Sequence, residues 1–154
     1  MLRNCQDAIW FEDYAIGDEF ESAPVTFTET GIIEFAQRYD PQPFHIDRDA
    51  AQASPFGGII ASGTEIMPRL WGAIMEPGFL SGRALGAPGI ALEFKCPVRP
   101  GDTLVAISRV LETRPSSSRP DRGYVRFLSE ATNQSGDLVV TLAHEQIIQR
   151  QPAQ

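Results

Sequence analysis

Hydrophobic positions recur along the chain with two different periods, and the change near residue 89 divides it into a helical half and a stranded half. Between Thr28 and Met75 the spacing is helical or loop-like. Ile32, Ile33, Phe35, Ala36 and Tyr39 fall on one helical stripe, with Thr28 or Thr30 placed to cap its start. Asp40-Pro41 ends that helix, because a residue that precedes proline is biased out of the helical region. A short helical turn is expected over Arg48 to Ala53, followed by the breaker Ser54-Pro55-Phe56-Gly57-Gly58. Ile66, Met67, Leu70, Trp71 and Ile74 then form the apolar stripe of a buried helix.

From Gly89 onward the pattern turns to strands. Ile90 to Cys96, Leu104 to Leu111, Gly123 to Thr132 and Leu138 to Ile148 are predicted strands, and Glu19 to Phe27 adds an earlier one. Turns are expected at Arg99-Pro100-Gly101-Asp102 and at Asn133 to Asp137, with a long polar hairpin loop over Pro115 to Gly123. One early strand, helices, then four hairpin-linked strands describe an α+β domain: an antiparallel sheet with helices on one side. The one strongly apolar helix would lie across the sheet's inner face.

Composition is compatible with that layout. A chain of 154 residues, 42% of them hydrophobic, is long enough to bury a core and fits one domain, expected over 1–149 with a flexible tail at 150–154. No apolar run approaches the roughly 20 residues of a membrane-spanning helix. Residues 1–7 carry no apolar stretch of the signal-peptide kind, so a cytoplasmic protein with no membrane partner is expected. The net charge of −7 argues against nucleic acid as a partner. A local phosphate site is still compatible with it, and Arg114, Arg119, Arg122 and Arg126 crowd one stretch that suits either solvent or a nucleotide. Cys5 and Cys96 have no metal-ligand spacing and read as reduced thiols.

The segment richest in chemistry is Tyr39-Asp40-Pro41-Gln42-Pro43-Phe44-His45-Ile46-Asp47. Two prolines stiffen the chain between a carboxylate and an imidazole, which suits Asp40 and His45 to act as one acid–base unit. The same residues would equally serve as a turn carboxylate and a buried, hydrogen-bonded histidine. A metal site built from Asp40, His45 and Asp47 lacks a second histidine or a thiolate, so no metal is expected. No serine stands beside the histidine to complete a nucleophilic triad. The second segment, Phe56 to Thr64, leads into the apolar helix through small residues, where free N–H groups can meet a polarised carbonyl or simply be capped by Ser62 or Thr64.

Taken together, Asp-Pro-Gln-Pro-Phe-His-Ile-Asp at 40–47 and Ile-Ile-Ala-Ser-Gly at 59–63, with Gly63 eighteen residues after His45, resemble the MaoC-type dehydratases, or (R)-specific enoyl-CoA hydratases. Trp10 to Asp18 and Pro97 to Leu104 are also similar to that group, so the likeness spans nearly the whole chain. It implies a hotdog fold, in which the sheet wraps around a central helix. By the same resemblance Asp40 and His45 match the catalytic pair, and Gly63 matches the residue whose N–H faces the thioester carbonyl. Gln42, Pro43, Phe44, Ile60, Ala61, Ser62 and Thr64 would border the substrate, an acyl-CoA thioester. No cofactor is implied, and a homodimer or higher homo-oligomer is. The chain departs from the group's pattern in having Gln42 where asparagine is frequent and Trp71 where some members have serine. Pro68, early in the helix, predicts a kink or a late start.

Overall fold

The computed structural model describes residues 9–80 and 82–152; Cys5 lies outside them. After a single 3-10 turn at Phe11–Asp13 come β1 (Glu19–Glu21), β2 (Val25–Thr26), α1 (Glu29–Tyr39), α2 (Pro43–Ile46), α3 (Arg48–Ala53) and α4 (Gly63–Met75). Four long strands complete the chain: β3 (Ala84–Phe94), β4 (Thr103–Pro115), β5 (Arg122–Thr132) and β6 (Leu138–Gln149). All pairings are antiparallel, in the order β1-β4-β5-β6-β3, with β2 pairing β4. The α+β layout expected from the periodicity is the one found.

Alternation builds the sheet's inner face. Leu104, Ala106, Ser108 and Val110 of β4 point inward, as do Val125, Phe127, Ser129 and Ala131 of β5 and Val140, Leu142, His144 and Ile148 of β6. Against this face α4 buries Ile66, Leu70, Ala73 and Ile74. Trp71, on the flank of the stripe, packs edge-on to His144 at 5.0 Å between ring centroids. Helix α4 starts at Gly63 and runs through Pro68 to Met75, so the expected late start does not occur. Ser62 caps it by accepting the Thr64 N–H at 3.1 Å.

Several boundaries differ from the sequence reading. The early strand is broken in two between Glu21 and Val25, where the Ser22 N–H donates to the carbonyl of Ala106 and the Ala23 N–H to that of Ala73. Strand β3 begins at Ala84 rather than near Gly89, reaching β6 through register shifts at Gly86 and Gly89. In α1, capped by Thr28 through the Gly31 N–H, only Ile32 and Ala36 are buried, while Tyr39 is 60% exposed. The residues after β6 are tied down as far as Gln151: Arg150 pairs with Glu12 at 2.7 Å and the Gln151 N–H donates to the same carboxylate.

Two glycines are required by contacts from distant segments. A Cβ on Gly123 of β5 would lie 2.4 Å from the Phe11 ring, and one on Gly63 would lie 2.6 Å from the Phe94 ring. Gly57 has a different reason: its φ of 66° is left-handed, in the turn that delivers residues 59–62 to the helix start.

Candidate active site

Asp40 sits at the C-cap of α1, where its extended φ of −155° turns the chain out of the helix. Helix α2 then begins at Pro43, a favourable first helical residue, and places His45 two residues later. Opposite, the Ile59–Ser62 segment is stitched into place on both sides. The Ala61 N–H donates to the Val98 carbonyl at 2.8 Å and the Ile60 N–H to that of Phe44 at 3.4 Å.

This stitching presents the Ile60 carbonyl to His45, whose Nδ1 lies 2.6 Å away. A carbonyl only accepts, so Nδ1 carries the proton and Nε2 of the neutral ring is left with its lone pair. Nε2 faces Asp40 Oδ2 at 3.5 Å, too far for a good direct hydrogen bond. Asp40 Oδ2 also accepts the Ser62 hydroxyl at 2.5 Å, while Ser62 Oγ contacts Thr64 Oγ1 at 2.6 Å. Two acceptors thus stand 3.5 Å apart, and a water seated beside them could donate one hydrogen to each. His45 is buried, its ring packed 4.5 Å from that of Phe44, and the Asp40 side chain is 26% exposed.

Beside this pair opens a cavity of about 310 Å³, walled by His45, Ile60, Ala61 and Gly63 on one side. Phe56, Ile66 and Val98 make it apolar, and Phe94, Lys95, Cys96 and Pro97 form its other wall. Its size and its mainly apolar lining fit a small organic group. Gly63, first residue of α4, contributes the helix's positive end.

The sequence-predicted site residues therefore divide. His45, Gly63, Ile60 and Ala61 line the cavity, with Asp40 within reach of His45. Ser62 is fully buried and its hydroxyl is engaged with Asp40 and Thr64. Gln42, Pro43 and Thr64 are exposed, and Phe44 packs behind the imidazole against Phe56. Asp47 accepts the Ala50 N–H at 2.8 Å and caps α3. Arg114, Arg122 and Arg126 pair with Glu145, Asp121 and Glu112. The wall from Phe94 to Pro97 was missed by the sequence reading, because nothing in a strand's end signals what it will face.

A second buried polar group lies under α4. His144 Nδ1 is 3.1 Å from the Gln146 amide nitrogen, His144 Nε2 is 3.2 Å from Ser129 Oγ, and Ser129 Oγ is 2.7 Å from Ser108 Oγ. Burial pushes the pKa of His144 down to about 4.

A helix-on-sheet domain with a carboxylate–imidazole pair beside an apolar cavity has the features of a small-molecule site. The MaoC like domain family matches residues 12–126, and the chain belongs to that family. The crystal structure of a MaoC-like dehydratase from Rhodospirillum rubrum superposes with a TM-score of 0.85 at 37% identity, covering 94% of this chain and 99% of that one. The (R)-specific enoyl-CoA hydratase of Rhodospirillum rubrum is 32% identical over 132 residues, 80% of this chain and 81% of that protein. YdeM of Bacillus subtilis, an uncharacterized protein, is 32% identical over 127 residues, 80% of this chain and 86% of its own length. The antiparallel sheet and helices are those of the hotdog structures of MaoC-type hydratases.

Proposed function

We propose that this chain is a hydro-lyase that reversibly adds water across the C2–C3 double bond of an acyl thioester, interconverting enoyl-CoA and 3-hydroxyacyl-CoA. One observation carries the reading: Nε2 of a tautomer-locked His45 and the Asp40 carboxylate stand 3.5 Å apart beside an apolar cavity whose wall includes Gly63. Likeness to an (R)-specific enoyl-CoA hydratase supports it.

The chemistry follows from charge. A conjugated thioester accepts a nucleophile at C3 only if the negative charge gathering on its carbonyl oxygen is stabilised. The Gly63 N–H at the start of α4 is the donor for that oxygen, and losing one such donor costs about 3–4 kcal/mol. Water bound beside both Asp40 and Nε2 gives its oxygen to C3 and one proton to the pair. The electron pair of the resulting enolate takes a proton from the pair at C2, which restores both groups. Acid and base are not divided between them, since a water bound to both can pass its proton to either.

Crotonyl-CoA turnover, followed as loss of enone absorbance, tests the reading. Asp40→Asn and His45→Ala are each expected to lower it by roughly 10² or more. Undiminished turnover in both variants refutes it, and release of free thiol in step with the absorbance loss identifies a thioesterase. Binding without turnover over a broad thioester panel identifies a non-catalytic module.

A further inference from the structure

We infer that Phe94 is a specificity-determining residue, whose ring restricts the site to acyl thioesters unsubstituted at C2. The inference rests on the hydratase reading for the placement of the thioester, and on independent geometry for the ring. Gly63 has no left-handed backbone to explain it, and as first residue of a helix its conformation is open to any side chain. What forbids a Cβ is Phe94: three atoms at the far end of the ring would lie 2.6, 2.8 and 3.5 Å from it. The ring therefore rests on the Cα of the residue whose N–H is assigned to the carbonyl oxygen. The carbonyl carbon and C2 come next along the substrate, so a substituent on C2 meets the ring. C3 lies further on, toward His45 and the water.

The backbone beneath the ring is fixed. Phe94 pairs with Val140 in the β3–β6 ladder, and the carbonyl of Val139 accepts the N–H groups of both Lys95 and Cys96, at 2.7 and 3.3 Å. The side chain itself is 50% exposed at the strand's end and lines the same cavity as His45. Truncating it enlarges the cavity beside Gly63 while the strand stays paired. One methyl in a close-fitting apolar site discriminates by about 10–200-fold.

The test compares kcat/KM for crotonyl-CoA and its 2-methyl homologue, tiglyl-CoA, in wild type and Phe94→Ala. Wild type is expected to prefer crotonyl-CoA, and the variant to raise the tiglyl-to-crotonyl ratio about tenfold or more. The ratio of trans-2-octenoyl-CoA to crotonyl-CoA is expected to change little. An unchanged tiglyl ratio, or an equal rise for octenoyl-CoA, overturns the inference and leaves the hydratase reading standing. A second arm reads the contact itself: Gly63→Ala lowers turnover, and Phe94→Ala added to it recovers part of the loss. No recovery overturns the contact. Should wild type hydrate no thioester, the hydratase reading falls, and the same preference is read as the Kd ratio of 2-methylbutyryl-CoA to butyryl-CoA. That ratio falls in Phe94→Ala if the inference holds; its constancy, or the absence of binding, overturns it.

Discussion

At the scale of single residues, position matters more than type. Two histidines of this chain lie in buried surroundings, yet only His45 turns a ring nitrogen toward a carboxylate. The hydroxyl of Ser62 links the start of α4 to Asp40, so one side chain both caps a helix and orients a carboxylate. Removing it should cost about 1 kcal/mol as a lost cap. Its effect on the reaction should be separable: Ser62→Ala is expected to lower kcat about tenfold with little change in KM, because the carboxylate loses orientation rather than the substrate its seat. Ser62→Thr, which keeps the hydroxyl, should restore kcat. A Ser62→Ala enzyme with full kcat would remove Ser62 from the positioning of Asp40.

At the scale of elements, the sheet carries a polar line that shapes its response to acid. Gln146 donates to Nδ1 of His144, so Nε2 carries the proton toward Ser129, and Ser129 can donate in turn to Ser108. A neutral ring satisfies this chain, and a second proton on Nδ1 would face an amide NH₂ in a buried site. Between pH 6.5, the ordinary value, and about 4, the folded value, the unfolded chain binds the proton that the folded chain refuses. Stability from this group is thus complete above pH 6.5 and falls as the pH drops, by about 3 kcal/mol once below 4. Urea denaturation at pH 7.5 and 4.5 should show the loss in wild type and a smaller one in His144→Gln. Equal losses would assign acid sensitivity to other groups. The neighbouring strand position is sensitive to volume instead. Gly123→Ala drives a methyl into the Phe11 ring and should cost about 1–3 kcal/mol, seen as a lower urea midpoint.

At the scale of the whole molecule, the sheet is asymmetric. One end is covered by β1 and β2, whereas β3 at the other end pairs only with β6 and is exposed along nearly all its length. Leu85 and Phe94 stand 43% and 50% exposed on it. A long apolar edge of this kind invites pairing with another chain. A homodimer joined along β3 is the expected state, and sedimentation should return the mass of two 16.9 kDa chains. A monomer mass throughout the micromolar range would contradict it. Among the described residues no helix is long and apolar enough to cross a membrane.

The sequence by itself determined most of the elements and singled out the segment suited to acid–base chemistry. Periods of 3.6 and 2 report which face of each element is buried, and so α1, α3, α4, the four long strands and the α+β layout were legible, whereas the one-turn α2 is too short to show a period. The proline-braced run from Asp40 to His45 was legible too, because its stiffness is local. Tertiary structure decided everything that joins residues far apart in the chain. The Ile60 carbonyl selects the tautomer of His45 across fifteen residues, and Phe94 explains Gly63 across thirty-one. A glycine with ordinary dihedrals gives no sign of the ring that will lie on it, since that contact exists only once the sheet has closed over the helix.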